Sequence, residues 1–210
     1  SVENTLPLPV YNRVSTKTGR MVIKKGPQIL TLKKEFRSIF VPRNPDNRLY
    51  EIDFVSLEPR VALNIAKRNA SSDVYSSFVE YSEANISRDT AKLAILCALY
   101  GAGKHRLDKL LKEDGSSMSA SQLLFKVKKY FSIDNLSRSL VQESKSGKIA
   151  NCFGRPIEVD DARNTMLINN FLQSSAVDVA LLGFTDFCKK MGSIASPLFI
   201  IHDALVFEAS

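Results

Sequence analysis

Asp53 closes the alternating run Leu49-Tyr50-Glu51-Ile52-Asp53-Phe54, and Asp203 follows His202 inside an apolar run from Phe199 to Phe207. Between them Arg88, Lys92, Leu96 and Tyr100 recur four residues apart, the spacing that lines one stripe of a helix. Carboxylates at strand-like positions are hard oxygen donors suited to magnesium. That ion keeps waters and substrate phosphates in its shell, so two carboxylates are a sufficient contribution from the protein. A pair of such ions about 3.5–4 Å apart activates an attacking hydroxyl and steadies a leaving phosphate. The backbone carbonyl of Phe54 is placed to add a ligand. Arg offers phosphate oxygens a planar fork, and Lys a compact point charge. Singly, Asp53 reads as a strand-end cap, His202-Asp203 as a bulge or turn, and the stripe as a solvated basic face. Jointly they are the components of nucleotidyl transfer from a nucleoside triphosphate.

The elements that must hold these groups follow from the local pattern. Residues 1–15, with Pro7 and Pro9, read as an extended entry segment, followed by a basic turn at Thr16-Lys17-Thr18-Gly19-Arg20 and an irregular run to Pro27. Asn44-Pro45-Asp46-Asn47 is a turn leading into a strand over Leu49–Phe54. Helical periodicity covers Glu58–Arg68, Val74–Ser82 behind a Ser71-Ser72-Asp73 cap, and Asn85–Tyr100 closed by Gly101-Ala102-Gly103. A loop over Gly115–Ser119 precedes a basic amphipathic helix, Ala120–Phe131. Gly154-Arg155-Pro156 is a turn ahead of a long helical pattern from Ala162 to Lys190. Leu198–Phe207 reads as a last strand interrupted by His202-Asp203. Strands at the ends and helices between them indicate an α+β fold rather than alternating βαβ units.

Composition sets bounds on function. The 210 residues are 44% hydrophobic and 24% charged, ordinary for a globular protein with a core. No run is apolar enough to span a bilayer, and no signal-peptide core is present, so the expected setting is the cytoplasm or an organelle, without secretion. Cys97, Cys152 and Cys188 are scattered without metal-ligand spacing and suit a reducing compartment. A formal net charge of +7 favours a polyanionic partner.

Five elements, in order, resemble the family A DNA polymerases. Thr18-Gly19-Arg20 is similar to the T-G-R element. Asp53-Phe54-Val55-Ser56-Leu57-Glu58-Pro59-Arg60 resembles the first motif, D-Y-S-x-I-E-x-R. Arg88-x-x-x-Lys92 with Tyr100-Gly101 resembles the second, R-x-x-x-K-x-x-x-F/Y-x-x-x-Y-G. Asn169-x-x-x-Gln173-Ser174-Ser175-Ala176-x-Asp178 is similar to the N-x-x-x-Q-G-S/T-A-A-D helix, and Ile201-His202-Asp203-Ala204-Leu205 to V-H-D-E-L. The resemblance implies a polymerase palm with a small antiparallel sheet and a helical fingers insertion. Residues 1–68 and 158–210 would form the palm and 69–157 the fingers. Asp53 and Asp203 would ligate two Mg2+ ions. Arg88 and Lys92 would grip the triphosphate, with Lys92 placed to protonate pyrophosphate. Glu58 would sit where a ribose 2′-hydroxyl falls and hydrogen-bond Tyr100, which stacks near the templating position. Arg20, Gln173 and His202 would touch primer–template DNA, and dNTPs would be the substrates.

Departures from the pattern concern selectivity. Leu96 stands where Phe or Tyr faces the sugar, and Tyr75 where many members place a phosphate-binding His. Thr165 replaces an Arg, Ser174 a Gly, and Ala204 the acidic residue after Asp203. The family's thumb and exonuclease domains have no counterpart, so a missing segment or another chain would supply the thumb. Leu96 also suits a phage-type single-subunit RNA polymerase, whereas Leu57, Glu58 and Arg60 favour DNA synthesis. A non-catalytic DNA-binding subunit is the reading from a different class, opposed by the retention of both aspartates.

Overall fold

A computed structural model describes residues 7–101 and 103–210, so the first six residues of the extended entry segment and Ala102 of the expected helix-closing loop lie outside the described residues. The fold is α+β. Two compact units divide it, one formed by residues 1–55 and 176–210, the other by 56–175.

The first unit is built on an antiparallel sheet of order β3-β7-β6, from Arg48–Asp53 (β3), Ala204–Ala209 (β7) and Ala195–Ile201 (β6). Every residue of β7 is buried, as a central strand covered on both faces must be. One face packs Ile52, Ala195, Phe207 and Ala209 against Phe187 and Met191 of a long helix, α7 (Asn164–Met191). On the other, Val206, Ile201 and Phe199 meet Ile29, Ile23 and Phe40 from the N-terminal segment. That segment is more regular than its sequence suggests. Val10–Asn12 (β1) and Val22–Lys25 (β2) pair antiparallel, and Lys34–Ile39 form a 3-10 turn. Strands so short carry too few residues to show a period of two. The Tyr11 hydroxyl donates to the Ile200 carbonyl at 2.6 Å and accepts from the Ile200 amide at 2.9 Å, closing part of the exposed β6 edge.

The segment read as one interrupted strand is a hairpin. Ile201 pairs with Ala204 and leaves His202-Asp203 as a two-residue turn, with His202 at φ 53°. Two-residue hairpins require positive φ at one or both central positions, and His tolerates it better than most bulky residues. Asp203 is therefore a half-buried turn residue and does not lie within the apolar strand.

The second unit is helical apart from a small hairpin, Lys148–Ala150 (β4) with Pro156–Glu158 (β5), around the expected turn at Gly154. Its helices are Leu57–Ile65 (α1), Val74–Ser82 (α2), Arg88–Tyr100 (α3), Lys104–Glu113 (α4), Ala120–Tyr130 (α5), Ile133–Ser144 (α6) and the start of α7. Side-chain caps set several of the boundaries. Asp73 accepts the Tyr75 amide ahead of α2, Ser87 accepts that of Thr90 ahead of α3, and Ser119 with Gln122 forms a capping box before α5. Helices α4 and α6 occupy stretches that gave no reading from the sequence. Each buries only two apolar side chains, Leu107 and Leu111 in α4 and Ile133 and Leu140 in α6. So narrow a stripe is hard to separate from a polar loop.

One buried charge in the sheet has visible compensation. Glu208 on β7 is 4% exposed, and its carboxylate accepts the amides of Asn44 (2.9 Å) and Arg43 (3.1 Å) and the Asn47 side chain (2.9 Å). These bonds, that from Asn44 foremost, hold its carboxyl below the ordinary glutamate value. A depressed folded-state pKa adds stability above the unfolded pKa and loses it as pH falls through the folded one. Glu208→Gln is therefore expected to lower the midpoint of urea unfolding at pH 7. The gap from wild type should close as pH drops below the ordinary glutamate range, and a gap constant with pH would contradict this account.

Candidate nucleotidyl-transfer site

The sheet register brings the two aspartates to one place. Asp53, the last residue of β3, pairs with Ala204, the first residue of β7, and Asp203 immediately precedes that pair. Paired residues on neighbouring antiparallel strands lie about 4.5–5.5 Å apart at Cα, so both carboxylates rise from the same end of the sheet. Asp53 is exposed, and His202 beside Asp203 is exposed too. Among the described residues, neither carboxylate takes part in an ion pair or hydrogen bond, and no cluster of three or more His, Cys, Asp and Glu exists. Two carboxylates, one exposed and one half-buried, with a neighbouring backbone carbonyl fit a magnesium ion that keeps most of its shell for water and phosphate. They do not fit a closed, all-protein cage.

Phe54 sets the end of β3. Its ring stands 5.5 Å from that of Phe184 and lies directly over Gly183 on α7, where a Cβ would fall 2.6 Å from its Cζ. Glycine here serves close approach rather than a turn, and the ring so seated anchors the residue that follows Asp53.

The basic turn is braced from within the same unit. Arg13 donates to the Asp178 carboxylate on α7 and, through Nε, to the Gly19 carbonyl at 3.4 Å. The Thr16 hydroxyl donates to the Arg20 carbonyl at 2.8 Å. Arg20 itself is exposed and engaged in an interaction of its own. Nothing in its local sequence marks Arg13 as the brace, since its partner lies 165 residues away.

The second unit carries the cationic stripe. Arg88 and Lys92 are exposed on α3, with Leu96 and Tyr100 half-buried along the same line. Ala91, Ala94, Ile95, Ala98 and Leu99 form the buried face. Gly101 ends the helix at φ 78°, a left-handed conformation that suits glycine. Arg88 holds Asp73 through Nε at 2.6 Å and a second nitrogen at 3.3 Å. Its guanidinium carbon stands 5.0 Å, and the Lys92 ammonium 5.9 Å, from the centre of the Tyr75 ring. Tyr75, in the position noted as a departure, is thus the surface on which both cations rest. The Arg88 guanidinium, followed by Ser76, holds the Asp73 carboxyl far below its ordinary value. The pairing joins a helix cap to a residue 15 positions on, and capping residues signal only their local role in sequence.

Glu58 lies half-buried in the first turn of α1 and is engaged elsewhere. The expected hydrogen bond from Tyr100 to it is not formed. The Tyr100 hydroxyl is buried with no partner among the described residues. Gln173 donates to the Asn169 side chain at 2.6 Å, one turn back on α7, which satisfies its amide along the helix. Asp53, Phe54, His202, Asp203 and Arg20 belong to one unit, and Glu58, Arg88, Lys92, Leu96, Tyr100 and Gln173 to the other.

No protein-family model matches the chain, and no curated protein matches it. Among solved structures, it is similar to the POL domain of Pol1 from M. smegmatis in complex with DNA primer-template and dNTP, with a TM-score of 0.65 and 18% identity. The match covers 96% of this chain and 41% of that one, so the chain spans about two fifths of the solved structure's length. At that identity the likeness is one of fold alone, an α+β architecture shared by the two chains. None of the helices among the described residues is long and apolar enough to cross a membrane.

Two substitutions test this description. Gly183→Ala gains up to about 1 kcal/mol of helix propensity but drives a methyl into the Phe54 ring, an overpacking cost of about 1–3 kcal/mol. A net loss in thermal stability is expected, and a gain would show that the ring yields freely. Tyr100→Phe removes an unpaired buried hydroxyl, so the urea midpoint should hold or rise, by about 1 kcal/mol at most. A clear fall would mean that the hydroxyl is partnered.

Proposed function

We propose that this chain carries the palm and fingers of a template-directed DNA polymerase of the family A type, adding dNTPs to a primer 3′-hydroxyl. The observation that carries the reading is the β3·β7 register, which pairs Asp53 with the residue after Asp203. The polymerase-domain architecture and the ordered motifs support it independently.

On this reading Asp53, Asp203 and the Phe54 carbonyl hold two Mg2+ ions. Ions held there would supply activation of the primer hydroxyl and charge neutralisation on the leaving pyrophosphate. The chain's own groups do the rest. Arg88 and Lys92 orient the triphosphate, and the Lys92 ammonium is the proton donor to pyrophosphate. Glu58 occupies the space of a ribose 2′-hydroxyl, Leu96 faces the sugar, and the Tyr100 ring stacks near the templating base. Arg20, Gln173 and His202 meet the primer–template duplex. Residues 1–68 and 158–210, with the three-stranded sheet, are the palm, and the helices within 69–157 the fingers.

Primer extension on a primed template with Mg2+ and dNTPs is the test. Asp53→Ala and Asp203→Ala should each reduce extension by about a thousandfold or more, the scale of lost metal charge stabilisation. Equal extension by either variant would refute the assignment. Glu58→Ala should raise ribonucleotide incorporation relative to deoxynucleotides while leaving extension with dNTPs measurable.

A further inference from the structure

Asp73 holds more contacts than a helix cap needs. Its carboxylate accepts the Tyr75 amide at 3.0 Å and the Ser76 hydroxyl at 2.8 Å, and it also takes the Nε edge of the Arg88 guanidinium. Arg88 and Lys92 meanwhile flank one ring, Tyr75, which is 6% exposed and fixes where both cations stand. The cluster thus contains two positive charges and one negative charge. Asp73 covers the Nε edge of Arg88, one of the two edges through which a guanidinium matches phosphate oxygens. A guanidinium cannot give the same two N–H groups at full strength to a carboxylate and to a phosphate.

We propose that Asp73 is a displaceable counter-ion of the polyphosphate site: it holds Arg88 over Tyr75 when no ligand is bound, and a triphosphate takes its place on the Nε edge. The inference rests on the reading of Arg88 and Lys92 as triphosphate ligands and adds a residue that sets how tightly they bind. Exchange is feasible because the pair is open to solvent, with the Arg88 and Asp73 side chains 49% and 34% exposed, and exposed ion pairs are weak. Asp73 does not leave with its partner. The amide of Tyr75 and the hydroxyl of Ser76 keep it at the head of α2, so its charge opposes the bound polyphosphate and favours departure of pyrophosphate.

The test is calorimetric titration of the whole chain with sodium tripolyphosphate in metal-free buffer of low ionic strength. Wild type, Asp73→Asn, Arg88→Gln and the double variant are compared. Asn is as good a helix cap as Asp, so Asp73→Asn removes the charge and keeps α2, as a thermal melt verifies. Binding should tighten about three- to tenfold in Asp73→Asn, the range expected for losing a weak competing pair together with nearby repulsion. In the Arg88→Gln background the same change should yield a clearly smaller gain. Unchanged or weaker binding by Asp73→Asn overturns the proposal, as does an equal gain with and without Arg88, or no tripolyphosphate binding by any variant. No DNA, metal or turnover enters this measurement. Failed primer extension with the expected titrations would therefore remove only the polymerase reading, and active extension with indifferent titrations only this inference.

Discussion

The pairing of β3 with β7 is the constraint on which the rest of the molecule depends. A strand register admits no intermediate values: a slip by one residue turns every side chain to the opposite face. Here the register is held from several directions. Tyr50 stacks on Phe207 at 5.5 Å, Ile52 and Phe207 share a core cluster with α7, and Val206 belongs to another on the opposite face. Phe54, seated over Gly183, follows Asp53, the last residue of the strand. The two-residue turn then leaves Asp203 nowhere to go but the same end of the sheet. Proximity of the two residues is thus a by-product of strand pairing and apolar packing, and their carboxylates make no hydrogen bond or ion pair among the described residues.

Charge is handled differently in the interior and at the surface. Glu208 is enclosed and satisfied by three donors from one turn, an arrangement that ties residues 43–47 to the central strand. Asp178, also buried, meets Arg13 and so connects the N-terminal hairpin region to α7. In both cases the ionised group earns its place by fixing a loop to a regular element. The Arg88–Asp73 pair is open to solvent, and its geometry is maintained by the Tyr75 ring and the cap of α2 more than by the attraction itself. A pair of this kind can change partners without disturbing the helices that carry it.

The sequence by itself determined the α+β class and the long helices, and it supplied the acidic and basic residues that the proposed function calls on. Periodicity and caps are local properties: Asp73 and Gly101 mark helix ends because the groups they satisfy lie within a turn of them, whereas the structure starts α3 at Arg88, capped by Ser87, and not at Asn85. Tertiary structure alone decided whatever depends on distant partners. It split the final strand into a hairpin and moved Asp203 from strand to turn, since only pairing with β3 and β6 distinguishes an interrupted strand from two short ones. It gave the irregular N-terminal run its β1–β2 pairing, and it left the Tyr100 hydroxyl without the Glu58 bond that the motif implies. It also assigned Arg13 to Asp178 and Arg88 to Asp73, because an ion pair has no sequence period and is settled by which surfaces packing brings into reach.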